Sequence, residues 1–226
     1  MLGTSVVDSM IKLGSLGMDI HVPSNGFRQG ELLQEVNRTL GLELSPSDEN
    51  WGFIRHTVHR FVINNTMLLA APSLETLVKV AGILKGKKVV EVNAGRGYIS
   101  SVLHYLGVDV EATDNLRHVD DFEEPFSILT EISNKDAISS IRPDVDVYIM
   151  SWASYQNDYD VAFLEKMREV NPDAQILLIS EIDDIYGPIN TPAFLAKVKV
   201  VDRLEEINDS YKKDSFYGQD SIVLVK

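Results

Sequence analysis

One stretch restricts the fold more than any other: KVVEVNAGRGYISSVLHYLGVDVEATD, residues 88–114. It opens with a short β-branched run, KVVEV (88–92), which reads as a strand. NAGRG (93–97) is a sharp glycine turn. YISSVLHYLG (98–107) has the apolar spacing of an amphipathic helix and stops at Gly107. VDVEATD (108–114) is a second strand. Two strands joined through a helix cannot form a hairpin, so the unit demands a parallel sheet.

The alternation continues beyond it. DVDVYIMSW (144–152) reads as a buried strand, DVAFLEKMREV (160–170) as a helix and AQILLISE (174–181) as another strand. Residues 127–133 read as either strand or helix. TPAFLAKV (191–198) begins a helix, with Thr191 as cap and Pro192 at the first helical position. VVDRLEEIN (200–208) and DSIVLVK (220–226), joined by a polar loop, can pair antiparallel. Ahead of the βαβ unit, Ser73 caps a helix over LETLVKVAGIL (74–84), which GKK (86–88) ends.

Residues 1–50 are weakly patterned, with helical stretches near 5–16 and 30–40 broken by Gly14, Gly17, Pro23, Gly26 and Gly30. Residues 51–70 carry Trp51, Phe53, Ile54, Val58, Phe61, Val62 and Ile63 at helical spacing. The expected organisation is a helical N-terminal extension over 1–65 and an α/β domain over 66–226. The opening twenty residues lack a basic n-region, and Asp8 and Lys12 interrupt their apolar stretch, so they read as a terminal helix rather than a signal peptide. No apolar run reaches ~18 residues, so no membrane span is expected and the cytoplasm is the default location.

Charge narrows the partners. The chain has 226 residues and a formal net charge of −13. Residues 1–108 carry 10 Lys and Arg against 9 Asp and Glu, whereas residues 109–226 carry 11 against 25. That balance argues against non-specific nucleic-acid binding. There is no cysteine, which removes disulfides, thiolate zinc sites and cysteine nucleophiles together.

Chemistry concentrates at successive strand ends. Gly95 and Gly97 lack Cβ and tolerate positive φ, so backbone there can approach a ligand at a helix N-terminus. Asn93 stands where a third glycine often sits, and asparagine is the next most tolerant residue in left-handed backbone. Asp114, at the tip of the second strand, can bind both hydroxyls of a ribose across that turn. Asp136 and Ala137 follow where the next strand should end, and a carboxylate there could accept from an adenine amine. All of these would lie on the carboxyl edge of the sheet, where open α/β folds bind ligands. The bland alternatives are a tight strand-to-helix turn at 93–97 and an ordinary turn at Asp114–Asn115.

Weaker candidates stand elsewhere. His56 and His59 are three apart, but no acid lies at a matching spacing, so no metal site is expected. Arg55 and Arg60 read as a solvated helix face, and Asp120, Asp121, Glu123 and Glu124 as a solvated loop. Glu181, Asp183 and Asp184 could line a substrate pocket.

The pattern E-x-N-A-G-x-G-Y over Glu91–Tyr98 resembles motif I of the class I S-adenosylmethionine-dependent methyltransferases. Nicotinamide-binding domains share the glycine turn and ribose acid, but prefer glycine at the first position and usually lack a terminal antiparallel hairpin. The chain is similar above all to methyltransferase-like proteins of undefined substrate. These pair a helix like APSLETLVKVAGIL with such a motif, then carry a strand ending in a Trp-Pro-Pro-Tyr box and another ending in Glu. Here those strands are YIMSWASY (148–155) and ILLISE (176–181), and the resemblance covers residues 66–226.

The resemblance implies a Rossmann-like, mostly parallel seven-stranded sheet with an antiparallel last strand and helices on both faces. It implies S-adenosylmethionine as cofactor, with Glu91, Asn93, Ala94, Gly95, Gly97, Tyr98, Asp114, Asn115, Asp136 and Ala137 around it. Ser151, Trp152 and Tyr155 would stand on the acceptor side, as the catalytic candidates. The methyl acceptor, a small molecule or a protein, is not named by any residue. Ala153 and Ser154 replace the two prolines of the box, and prolines pre-set that backbone. With Asn93, they favour the alternative of a catalytically silent relative acting as an interaction or structural subunit. In either case the N-terminal extension offers a surface for a second copy or a protein partner.

Overall fold

A computed structural model of the chain describes residues 43, 45, 72–117, 128–152, 159–180, 182, 190–214 and 220–226, with 212–214 described by backbone alone. The expected helical extension over 1–65 (residues 43 and 45 apart), His56, His59, Arg55, Arg60, Tyr155, Glu181, Asp183, Asp184 and the 120–124 acids lie outside the described residues.

The first described helix, α1, spans Leu74–Leu84. Ser73 is its cap, its Oγ accepting the Thr76 N–H at 3.2 Å. Leu77, Val80, Ala81 and Leu84 recur at helical spacing and form its buried face. Gly86 takes φ +75 and turns the chain into β1, Lys88–Val92. Strand β1 is buried on both faces from Val89 onward, as an interior strand of a parallel sheet must be. Helix α2, Tyr98–Tyr105, crosses to β2, Asp109–Asp114, and β2 returns parallel to β1 with Val90 opposite Glu111.

Strand β3 is only Ile132–Asn134 and pairs parallel with β2. A 3-10 turn at Ile138–Ser140 follows. Strand β4, Val147–Ser151, crosses to the other side of β1 and runs parallel to it. Helix α3, Tyr159–Val170, leads to β5, Gln175–Ser180, which is parallel to β4. Helix α4, Pro192–Lys197, starts on the Thr191 cap with proline in the first turn, as the sequence predicts. Strand β6, Val200–Asp202, helix α5, Glu205–Asp214, and strand β7, Ser221–Val225, complete the described fold.

Among the described residues the sheet has seven strands in the order β3-β2-β1-β4-β5-β7-β6, with β7 antiparallel to both neighbours. This is the Rossmann-like, mostly parallel sheet that the sequence implied. One expectation is corrected. Residues 200–208 do not form one strand. Only Val200–Asp202 pairs with β7, and the chain then turns into α5, because Leu204, Ile207 and Tyr211 are buried at helical spacing.

Strand side chains alternate between two cores. Along β4, Val147 and Ile149 join Leu77, Leu103 and Tyr211 under α1, α2 and α5. Tyr148 and Met150 join Phe163, Met167 and Phe194 under α3 and α4. Helices therefore cover both faces. Tyr148 packs edge-on against Phe163 at 5.3 Å between centroids. Its hydroxyl accepts the Arg142 N–H at 2.8 Å and donates to the Arg142 carbonyl at 3.1 Å, so the buried phenol is satisfied. Each fully buried Leu, Ile or Phe contributes about 2 kcal/mol relative to exposure. Among the described residues no helix is long and apolar enough to cross a membrane.

Candidate functional site

The glycine turn leaves β1 at the point where the chain's crossovers diverge, toward β2 on one side and β4 on the other. Asn93, Gly95 and Gly97 have φ of +54°, +55° and +74°. Asn93 itself adopts the left-handed backbone a glycine would take there, and its Nδ2 donates to the Tyr159 hydroxyl at the start of α3. Gly97 has a second constraint, since a Cβ on it would lie 2.6 Å from Thr130 Cγ2. The turn is tied to β2 by the Ala94 N–H, which donates to the Thr113 carbonyl at 3.0 Å.

Asp114 stands against this turn. Its Oδ2 accepts the Gly95 N–H at 2.9 Å and its Oδ1 accepts the Leu116 N–H at 2.7 Å. A carboxylate offers about four lone pairs, so one on each oxygen remains for a further donor. Asn115 serves its own turn, its Oδ1 accepting the Arg117 N–H at 3.2 Å.

Beneath the turn lies Glu91, only 2% exposed. Gly97, the N-cap of α2, has no side chain to offer the helix. Glu91 supplies what is missing: its Oε2 accepts the Ser100 N–H at 2.9 Å and also the Ser100 hydroxyl. Burial pushes this carboxyl up to about 7, with Asp114 adding repulsion, while the Ser100 bonds pull the other way. Glu91 thus anchors the helix N-terminus from below. Thr113 extends the polar lacing, its hydroxyl donating to the Glu91 carbonyl at 3.1 Å.

The remaining candidates divide. Asp136 lies two residues beyond β3 and caps the 3-10 turn, its oxygens accepting the Ser139 N–H at 2.9 Å and the Ser139 hydroxyl at 2.7 Å. Those bonds hold its carboxyl below the usual range. Ala137 is buried in the α3-side core, whereas Ile138 beside it is 39% exposed. The Tyr98 hydroxyl donates to the Pro72 carbonyl at 2.9 Å, tying α2 to the segment before α1, and burial raises this phenol. Ser151 and Trp152 sit half-buried at the tip of β4.

Sequence reasoning missed three participants. Ser100 and Tyr159 are ordinary helix residues until the strand tips bring Glu91 and Asn93 to them. Asp220, just before β7, is buried and its Oδ2 accepts the Trp152 indole N–H at 2.9 Å. A lone acid before a strand reads as a turn, so no local signal marked it.

No family model matches the chain, and neither does any curated protein. Among solved structures, the chain is similar to a candidate methyltransferase of antibiotic biosynthesis from Anabaena variabilis. Identity is 22% over 48% of this chain and 45% of that one, with a TM-score of 0.33. It is similar to the CcbJ methyltransferase of Streptomyces caelestis at 12% identity, covering 70% of this chain and 91% of that one, TM-score 0.46. The glycopeptide N-methyltransferase MtfA, solved with S-adenosyl-L-homocysteine, matches at 17% identity over 49% of each chain, TM-score 0.34. The chain therefore spans about half the length of the first and third of these proteins.

Proposed function

We propose that the protein is an S-adenosylmethionine-dependent methyltransferase acting on a small molecule or a protein. The observation that carries this reading is the strand order. An antiparallel β7 lies between β5 and β6, while the glycine turn and Asp114 meet at the carboxyl edge beside β1. A nicotinamide-binding sheet would continue parallel there.

The residues present suit the cofactor. Asp114 keeps one acceptor position on each oxygen, matching the two hydroxyls of a ribose. Gly95 and Gly97 present backbone without Cβ at the N-terminus of α2. Asp136, with exposed Ile138 next to it, offers an acceptor and an apolar face for adenine. When bound, the cofactor supplies an activated methyl on a cationic sulfur. The chain's own task is orientation and exclusion of water, which can supply up to ~7–11 kcal/mol of the barrier. Ser151 and Trp152 border the acceptor side. The acidity of residues 109–226 suits a neutral or cationic acceptor.

The silent-relative alternative drew on Asn93. Since Asn93 takes the left-handed conformation a glycine would, with its Nδ2 held by the Tyr159 hydroxyl, that departure leaves the turn intact. Ala153 and Ser154 lie outside the described residues. Calorimetry with S-adenosylmethionine and S-adenosylhomocysteine tests the proposal. Saturable binding of both is expected. The absence of heat with either at millimolar concentration, from folded protein, overturns it.

A further inference from the structure

Asp220 stands 2% exposed at the foot of β7, on the same edge as the glycine turn. Two donors converge on one of its oxygens: the Trp152 indole N–H from β4 at 2.9 Å and the Tyr211 hydroxyl from α5 at 3.0 Å. Its other oxygen, Oδ1, is buried with no hydrogen-bond partner among the described residues. No described lysine, arginine or histidine forms an ion pair with it. A buried carboxylate held this way is costly, and proteins keep such groups where they fix something. What it holds is unusual too. Trp152 has φ +49, a left-handed backbone that bulky residues rarely adopt. Its N–H donates to the Ile179 carbonyl at 3.0 Å, so backbone and indole are both tethered across β5.

We infer that Asp220 is the positioning residue of the acceptor side: through the indole N–H it sets the orientation of Trp152 at the tip of β4, where the methyl acceptor would enter. That Trp152 borders an acceptor rests on the proposed methyl transfer; that Asp220 sets the indole does not. Burial raises the Asp220 carboxyl to about 6, against the pull of the Trp152 and Tyr211 bonds. Among the described residues these two are the groups that bond to it, one from just beyond β4 and one from α5. The hold on Trp152 is therefore strongest above that value and slackens below it, as the acid becomes a poorer acceptor.

The test uses the full chain carrying Trp51→Phe, which leaves Trp152 as its single tryptophan. The indole N–H resonance is followed by nuclear magnetic resonance from pH 4.5 to 8, together with its hydrogen exchange. The expected result is a protected, downfield resonance that moves with a midpoint near pH 6. In Asp220→Asn that titration step is lost and exchange quickens. In Tyr211→Phe the midpoint rises, because one bond favouring the charged form is gone. Asp220→Asn could fail to fold; Tyr211→Phe then decides. An indole resonance that does not titrate, or one unchanged in whichever variant folds, overturns the inference. Calorimetry with S-adenosylmethionine on the same single-tryptophan protein separates the two readings: a missing heat sinks the methyltransferase proposal and leaves the indole result standing.

Discussion

Glu91 Oε2 accepts both the backbone N–H and the hydroxyl of Ser100, so a strand carboxylate caps the helix that follows it. The capping is internal to the βαβ unit and frees Gly97 from any side-chain duty at the N-cap.

Glu91 should make stability fall as pH rises. Its folded value, about 7, lies above the ordinary 4.5, so the folded state holds a proton that the unfolded state has released. The contribution is full below pH 4.5 and is lost as pH climbs through 7, with up to about 3 kcal/mol at stake. Glu91→Gln removes that slope while keeping an acceptor for Ser100. Urea melts across pH 4–8 should show the variant gaining on the parent toward pH 8. Among the described residues Asp220 moves in the same direction and adds to any residual slope in the variant.

Gly97→Ala should cost about 1–3 kcal/mol, since φ +74 and the Thr130 methyl both oppose a Cβ. Gly82→Ala is the contrast. It lies within α1 with nothing within 4 Å of its would-be Cβ, and should stabilise by up to about 1 kcal/mol. Equal effects in thermal melts would contradict the turn geometry.

Asp114→Ala leaves the Gly95 and Leu116 N–H groups without their acceptor, at about 1–3 kcal/mol. If Asp114 also holds the ribose, affinity for S-adenosylmethionine drops by about tenfold or more, a loss of at least ~1.4 kcal/mol. Circular dichroism establishes folding, and titration calorimetry reads the affinity. Undiminished affinity would remove Asp114 from the cofactor site.

Three residues before Asp114 on β2, Glu111 pairs with Arg142 at 2.6 Å and Lys135 at 3.0 Å. Desolvation would raise this carboxyl, but the bonds from Arg142, Lys135 and Ser133 outweigh it and hold it at about 2. The stabilisation is present above pH 4.5 and vanishes as pH falls through 2. Solvent screening limits it to about 1 kcal/mol. A Glu111→Gln and Arg142→Met double-mutant cycle should give that coupling at pH 7 and roughly half of it near pH 2, where half of the carboxyl is protonated.

The βαβ unit was legible because its signals are local. β-branched residues, glycines and apolar spacing follow one another without a gap from Lys88 to Asp114. Asp114 was legible as an acid at a strand tip, but not as the acceptor for Gly95, since that bond exists only once β1 and β2 align. The 200–208 segment misled for a related reason. Its helical stripe, Leu204, Ile207 and Tyr211, runs past Asn208, and the tyrosine completes the face only from beyond the window. Asp220 carried no signal, because its partners Trp152 and Tyr211 sit 68 and 9 residues away.

The reversal of β7 also decides geography. Its first residue meets the tip of β5, so Lys226, the residue after its last, comes to rest beside Lys199, at the opposite rim from the glycine turn. A fluorophore or surface tether joined at Lys226 would therefore sit at the rim opposite the glycine turn. Immobilised binding measurements should be built from that rim.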